Sequence, residues 1–244
     1  TNESSVLDTS CGSGGFLLYS LDKVRKQASE LYPNYKNDIR QNQRHYKHWH
    51  DFAEKKLYGI EINEQISRAA KMNMIIHDDG HTNVITADGL LSPEKLEEIT
   101  KNRGFQYNSF DFIVTNPPFG SIVRQTEKAY MREYKLGKKE DDWLAVITKP
   151  ETQRDNQNTE ILFIEQAYLF LKEGGYLGIV IPDGILTNSS LQYVRNQIED
   201  WFRIVAVVSM PQTAFMSTGA GVKSSVIFLK KWTKAESEKI IIQK

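Results

Sequence analysis

The chain has 244 residues, with 31 Lys and Arg balanced by 31 Asp and Glu, 40% hydrophobic side chains and one cysteine, Cys11. That length and apolar content suffice for one large core, and the balanced charge supplies no overall field to attract a polyanion, so contact with nucleic acid would need a local basic face or a partner. A lone cysteine excludes an internal disulfide and fits a reducing compartment, no apolar run approaches a membrane span, and the amino terminus is polar, so a cytoplasmic protein is expected.

A single α/β domain over residues 1–244 is expected, with polar insertions at about 25–55 and 121–159. The chain starts without methionine, a few residues before its first strand, which leads one to expect a piece of a longer protein. Val6-Leu7-Asp8 reads as a short strand running into Thr9-Ser10-Cys11-Gly12-Ser13-Gly14-Gly15-Phe16, and Phe16 to Val24 as an amphipathic helix. Strand, glycine-rich turn and helix bring backbone close to a nucleotide-like ligand, because Gly12, Gly14 and Gly15 carry no side chains. Asp8 can accept a hydrogen bond from a ligand amine or from the N–H groups of its own turn.

Residues 21–56 are polar and interrupted by Pro33; they read as helix, loop and a second helix from about Asp38 to Glu54. His45, His48 and His50 lie on that second helix with Trp49, but no Cys or carboxylate completes a metal-ligand spacing, so a solvated face is expected and no metal. Leu57 to Ile62 is the second strand, with Glu61 near its carboxyl end, placed to hold two ribose hydroxyls. Asn63 caps a helix from Glu64 to His77, and His77 and His81 are assigned to its solvated end. Asn83 to Ala87 is a third strand, followed by Asp88-Gly89. Three acids at three successive strand ends, Asp8, Glu61 and Asp88, suit a ligand that combines an amine, a ribose and an adenine N6.

Phe110 to Thr115 is an almost unbroken apolar and β-branched run, the pattern of a strand buried in a parallel sheet. It ends in Asn116-Pro117-Pro118-Phe119, at the edge where open α/β sheets bind ligands. The prolines stiffen the turn and lack N–H groups, leaving carbonyls free to accept. The Asn116 side-chain oxygen and the Pro117 carbonyl can grip the two hydrogens of an exocyclic amine, and Phe119 offers a face for stacking. Taken alone, the same tetrad is also an ordinary strand-ending turn.

Ser121 to Thr159 intersperses Arg124, Lys128, Arg132, Lys135, Lys138 and Lys139 with Tyr130 and Tyr134, a candidate DNA-contacting loop, although nearby acids dilute the charge. Glu160 to Leu171 reads as a helix stopped by Glu173-Gly174-Gly175, Tyr176 to Ile181 as a buried strand, and Pro182-Asp183-Gly184 as a turn in which Asp183 is structural. Asn188 to Phe202 is a further helix. Ile204 to Met210 and Ser224 to Lys230 are the last strands, bracketing the Thr218-Gly219-Ala220-Gly221 loop.

The ordered set DTSCGSGGF, YGIEI, ADG and NPPF, with YLGIVIPDGIL and TGAGVKSSVIFLKK downstream, closely resembles the S-adenosylmethionine-dependent DNA amino-methyltransferases, specifically the modification subunit of type I restriction systems. The resemblance runs from Val6 to Lys231 and implies a class I, Rossmann-like fold: a seven-stranded, mostly parallel sheet with helices on both faces and an antiparallel final strand. It implies transfer of a methyl group from S-adenosylmethionine to adenine N6. Gly12, Gly14 and Gly15 would line the methionine and ribose side of the cofactor, Glu61 would bind the ribose hydroxyls and Asp88 the adenine amine. Asp8 and Phe16 would complete the pocket, with Cys11, Ile62 and Gly89 beside them. Asn116 and Pro117 would hold the target amine, Pro118 would stiffen the turn and Phe119 would stack on the flipped base. The implied partners are double-stranded DNA with an extruded adenine, a specificity subunit and a restriction subunit, in a bacterial or archaeal cytoplasm. Two departures stand out: Thr9 occupies the family's usual proline position, and the upstream Phe-x-Thr-Pro segment and helical domain are not in this sequence. From the residues themselves, cytosine N4, an RNA base or a protein glutamine remain alternative targets, as does a silent binding module.

Overall fold

The computed structural model describes residues 1–77, 83–124, 129–139, 154–214 and 222–243. The fold is α/β and has the mostly parallel seven-stranded sheet expected. The chain packs as two compact units, Thr1–Thr115 and Asn116–Lys244.

The first unit runs β1 (Val6–Asp8), α1 (Gly15–Leu31), α2 (Ile39–Lys56), β2 (Leu57–Glu61), α3 (Glu64–Ile76), β3 (Val84–Thr86), α4 (Pro93–Thr100) and β4 (Phe110–Thr115). Its strands lie in the order β3-β2-β1-β4 and pair in parallel, Asp8 beside Gly59, Leu7 beside Ile113 and Glu61 beside Thr86. Leu7, Ile60 and Ile113 are wholly buried, which is why these short strands read as continuous apolar runs. Helix α1 is longer than expected because Leu17, Leu21, Val24 and Ala28 keep one apolar face going at helical spacing, in the cluster that also holds Trp49, Phe52 and Ala53 of α2. Asp38 caps α2 through the Gln41 N–H, and Asn63 caps α3 by accepting from the Gln65 and Ile66 N–H groups, as the sequence indicates. Helix α4 was not expected; Ser92 followed by Pro93 at its first turn is the signal.

Close packing between β2 and the glycine-rich turn is set by Gly59. A methyl group there would stand 2.7 Å from Leu17 Cδ1 and 3.1 Å from Cys11 Sγ, both buried. Gly59→Ala is therefore expected to cost about 1–3 kcal/mol in chemical denaturation. Gly184→Ala, where the added carbon meets nothing within 4 Å, should stay within about 0.5 kcal/mol.

The second unit comprises β5 (Ile122–Arg124), β6 (Asn156–Asn158), α5 (Thr159–Phe170), β7 (Leu171–Pro182), α6 (Asp183–Thr187), α7 (Gln192–Trp201), β8 (Phe202–Ser209), β9 (Ser224–Lys231) and α8 (Lys234–Gln243). Strand β9 lies between β7 and β8 and is antiparallel to both. The helix before β7 ends at Phe170 with Leu171 as its C-cap, within one residue of the expected end. Lys231 Nζ donates to the carbonyls of Tyr168 and Leu171, at 2.7 Å each, which satisfies the helix end from another strand. Gly174, at φ 74°, adopts left-handed backbone inside β7. Asp183 opens the short helix α6 rather than a bare turn and holds Ser225 Oγ at 2.7 Å and Lys223 at 3.5 Å, the structural role expected of it. Asn188 caps a single turn at Ser189–Leu191, so α7 begins later than expected.

The expected DNA-contacting stretch is more ordered than a loop where it is described. Ile122–Arg124 and Asn156–Asn158 form an antiparallel ribbon, and single turns occupy Ala129–Glu133 and Lys135–Gly137. Tyr134 is buried, its hydroxyl 2.8 Å from Gln166 Oε1, and so is core rather than DNA-facing; Arg132, Lys135 and Lys139 are exposed. Lys128 and the Thr218-Gly219-Ala220-Gly221 loop lie outside the described residues, as does His81. The histidines of α2 are packed rather than simply solvated: His45 stacks on Tyr35 at 3.9 Å, His50 stacks on Tyr46 at 4.9 Å, and Arg25 covers buried Trp49 at 4.1 Å. Among the described residues no group of His, Cys, Asp and Glu could hold a metal ion, and no helix is long and apolar enough to cross a membrane.

Candidate active site

The glycine-rich turn is tied to the strands on which it sits. The Cys11 N–H donates to the Ile60 carbonyl at 2.9 Å, and the Gly14 N–H to the Cys11 carbonyl at 2.8 Å. Gly12, at φ 54°, and Gly14, at φ 89°, adopt left-handed backbone that other residues take at a cost, and Gly14 is the residue from which α1 starts. Carbon added at Gly12 or Gly15 would meet nothing within 4 Å, so the turn presents bare backbone to open space. From the other side, Asn73 Nδ2 of α3 holds the Ser13 carbonyl at 2.9 Å. Cys11 is buried and its thiol is pushed far up by burial first, then by the charges of Asp8 and Glu61, which makes it a packing residue and not a nucleophile.

Two of the three predicted acids are built into this turn. Glu61 Oε2 accepts the Gly12 N–H at 3.0 Å and Oε1 accepts the Asn63 N–H at 2.8 Å, so one carboxylate bridges the turn after β1 and the start of α3. Asp8 is 2% exposed and its Oδ1 accepts the Ser10 N–H at 3.0 Å. Burial pushes the Asp8 carboxyl up to about 7, with the Glu61 charge adding to it, against the Ser10 N–H and the Thr115 hydroxyl, which favour the ionised form. Asp88, half-buried with Gly89 beside it, accepts the Leu90 N–H at 3.0 Å, and the Ala87 N–H donates to the Glu61 carbonyl at 3.1 Å, so the β3 end is laid against the β2 end. Phe16 and Ile62 expose 38% and 63% of their surface beside these acids. The structure thus bonds Gly12 to Glu61 and sets Asp8 and Cys11 within electrostatic reach of that carboxylate, with Gly14, Gly15 and Phe16 following on the same turn and Asp88 and Gly89 just after the adjoining strand.

In the tetrad, Asn116 and Pro118 are exposed, Pro117 is buried and Phe119 is partly buried. Thr115, the residue before it, was not singled out from sequence. Its hydroxyl lies 3.1 Å from Thr9 Oγ1 and 2.8 Å from Ser10 Oγ, in a buried hydroxyl cluster at the ends of β1 and β4. The signal was available once the register is known: with Leu7 opposite Ile113, Thr9 just past the end of β1 falls level with Thr115 at the end of β4. Thr9, where the resemblance leads one to expect proline, is bonded into this cluster.

Residues 1–243 match the family described as N-6 DNA Methylase. The chain belongs to the N-6 DNA Methylase family. It is 28% identical over 229 residues to the Type I restriction enzyme MpnII methylase subunit of Mycoplasma pneumoniae, covering 93% of this chain and 35% of that protein. It is 25% identical over 236 residues to the Type II restriction enzyme and methyltransferase RM.BcgI of Heyndrickxia coagulans, covering 96% and 29%. Among solved structures, the Type I restriction enzyme EcoKI M protein superposes with a TM-score of 0.64 at 20% identity, over 97% of this chain and 41% of that one. This N-6 DNA Methylase domain therefore spans about a third of the length of the relatives it matches.

Proposed function

We propose that this family member transfers a methyl group from S-adenosylmethionine to the exocyclic N6 of adenine in DNA, as the catalytic domain of a type I restriction-modification methylase. The observation that carries the reading is the hydroxyl cluster: the last residue before Asn-Pro-Pro-Phe, Thr115, is hydrogen-bonded to Thr9 and Ser10 of the glycine-rich turn. The residues present fit the cofactor. The turn offers bare backbone at Gly12 and Gly15, a carboxylate clasp at Glu61 and exposed apolar surface at Phe16 and Ile62. On this reading Gly12, Gly14 and Gly15 hold the methionine and ribose portion, Glu61 the ribose hydroxyls and Asp88 the adenine amine, with Asp8, Cys11 and Gly89 supporting them.

When bound, S-adenosylmethionine supplies a methyl group already electrophilic on its sulfonium. The protein's own work is to hold and orient the acceptor. The Asn116 oxygen and the Pro117 carbonyl accept the two amine hydrogens, which favours a pyramidal nitrogen with its lone pair exposed, and Phe119 supports the base by stacking. The nitrogen's surplus proton passes to solvent after transfer, so no strong base is needed. A base inside a duplex cannot reach such a turn and is extruded first, at a cost of a few kcal/mol. On this reading sequence recognition belongs to a separate specificity subunit, with a restriction subunit in the same complex, in the cytoplasm.

Calorimetric titration of the intact protein with S-adenosylmethionine, beside Glu61→Ala and Asp88→Ala, tests the reading. Saturable binding is expected in the wild type, weakened at least about tenfold in Glu61→Ala, because the variant loses the ligand contact and releases the Gly12 and Asn63 N–H groups together. An intact protein that binds no cofactor would overturn it.

A further inference from the structure

Helix α5 is buried nearly all round, yet it carries four polar side chains into that environment: Thr159, Glu160, Glu165 and Gln166. Three have matched partners. Glu165 accepts the Lys135 and Leu136 N–H groups at 2.7 Å each, Gln166 accepts the Tyr134 hydroxyl, and Thr159 donates both its N–H, at 2.9 Å, and its hydroxyl, at 2.7 Å, to the Ser121 carbonyl. Glu160 differs. It is 3% exposed, it receives the Gly120 N–H and the Asn158 side chain, and its Oε2 is the one buried side-chain oxygen among the described residues without a hydrogen-bond partner. A carboxyl group chosen for stability alone would not be buried half-satisfied.

Gly120 and Ser121 are the two residues that leave the Asn116–Phe119 tetrad, and both are gripped by the first turn of α5. We propose that Glu160 is a positioning residue for methyl transfer, its buried carboxyl group fixing the exit of the tetrad through the Gly120 N–H so that Asn116 and Phe119 hold the acceptor base in one orientation. The inference rests on the methyltransferase reading and adds to it a side chain that touches neither cofactor nor base. Burial, the largest influence, raises the Glu160 carboxyl above its ordinary range and thereby favours the neutral form, in which the carbonyl oxygen still accepts from Gly120. Glu160→Gln preserves that acceptor, whereas Glu160→Ala removes it.

The test uses the complete methylase complex on DNA carrying its target site, measuring kcat, the KM for S-adenosylmethionine and the fluorescence of 2-aminopurine at the target base. Glu160→Ala is expected to lower kcat by about tenfold to a hundredfold, with the KM for the cofactor within about threefold of wild type and a reduced signal from the extruded base. Glu160→Gln should restore kcat to within about threefold. Thr159→Val, which removes one bond of the same grip, should lower kcat in the same direction by less, and it decides the matter if the alanine variant fails to fold. An unchanged kcat in the alanine variant, equal loss in the glutamine variant, a loss confined to cofactor affinity, or an unchanged kcat in Thr159→Val when it stands alone would overturn the inference. A wild-type complex that binds cofactor and methylates no DNA overturns the underlying reading and the inference with it, a result distinct from an active enzyme indifferent to Glu160.

Discussion

Asn116→Ala is expected to lower the rate of methyl transfer to DNA by about 10²–10³-fold while leaving the affinity for S-adenosylmethionine within about threefold of wild type. The size follows from deleting a preorganised polar group aimed at the reacting nitrogen, which in other enzymes costs this much per group. On the proposed reading, without the side-chain oxygen only the Pro117 carbonyl would draw on the amine hydrogens, and the amine nitrogen would keep its lone pair delocalised into the ring. The selectivity follows from position. Asn116 is exposed, whereas the residues assigned to the cofactor lie on the glycine-rich turn, the start of α1 and at or just after the ends of β1, β2 and β3, so truncation leaves no buried polar group unpaired and little stability is lost. Single-turnover transfer measured beside calorimetric titration separates the two effects. A variant that keeps a tenth or more of the wild-type rate would remove Asn116 from the chemistry.

The second large effect is on stability, through Asp8. Its folded-state carboxyl titrates at about 7 against an ordinary value of 3.8. Between those two values the folded chain binds more protons than the unfolded chain, so this group's contribution is fully present below about pH 4 and is lost as the pH rises to about 7. At about 1.4 kcal/mol per pH unit across that interval, the loss is of order 4 kcal/mol. Asp8→Asn removes the titration and keeps an oxygen for the Ser10 N–H. Urea denaturation at pH 5 and pH 8 spans about two of those pH units and should therefore show the wild type losing more stability than Asp8→Asn by about 3 kcal/mol. Subtracting one protein from the other cancels the other buried carboxyls, Glu160 and Glu165, which burial also raises. Parallel stability profiles for the two proteins would show that Asp8 is ionised in the folded state throughout.

Much of what carries function could be read from local order. The strands of the first unit are short apolar runs that end at, or shortly before, an acid or the tetrad, Asn63 is a side chain suited to capping α3, and the glycines of residues 12–15 occur where the turn needs left-handed or bare backbone. Some of what local order does not show depends on distant partners. The carbonyls at the end of the helix before β7 are met by Lys231, sixty residues away, and the length of α1 follows an apolar face packed with that of α2. Tyr134 was misread for the same reason: a tyrosine among lysines looks solvent-facing until Gln166 is seen to take its hydroxyl.

By itself the sequence determined the α/β class, the order of strand, glycine-rich turn and acid, and the presence of an Asn-Pro-Pro-Phe turn after a buried strand, because periodicity and turn chemistry act over a few residues. Tertiary structure alone decided how those pieces are held. Glu61 clasps Gly12 from 49 residues away, Thr115 meets Thr9 and Ser10 across more than a hundred, and the proton affinity of Asp8 is set by the burial around it. Hydrogen bonds between distant residues and the loss of water around a charge come into being only when the sheet assembles, and no local pattern encodes them.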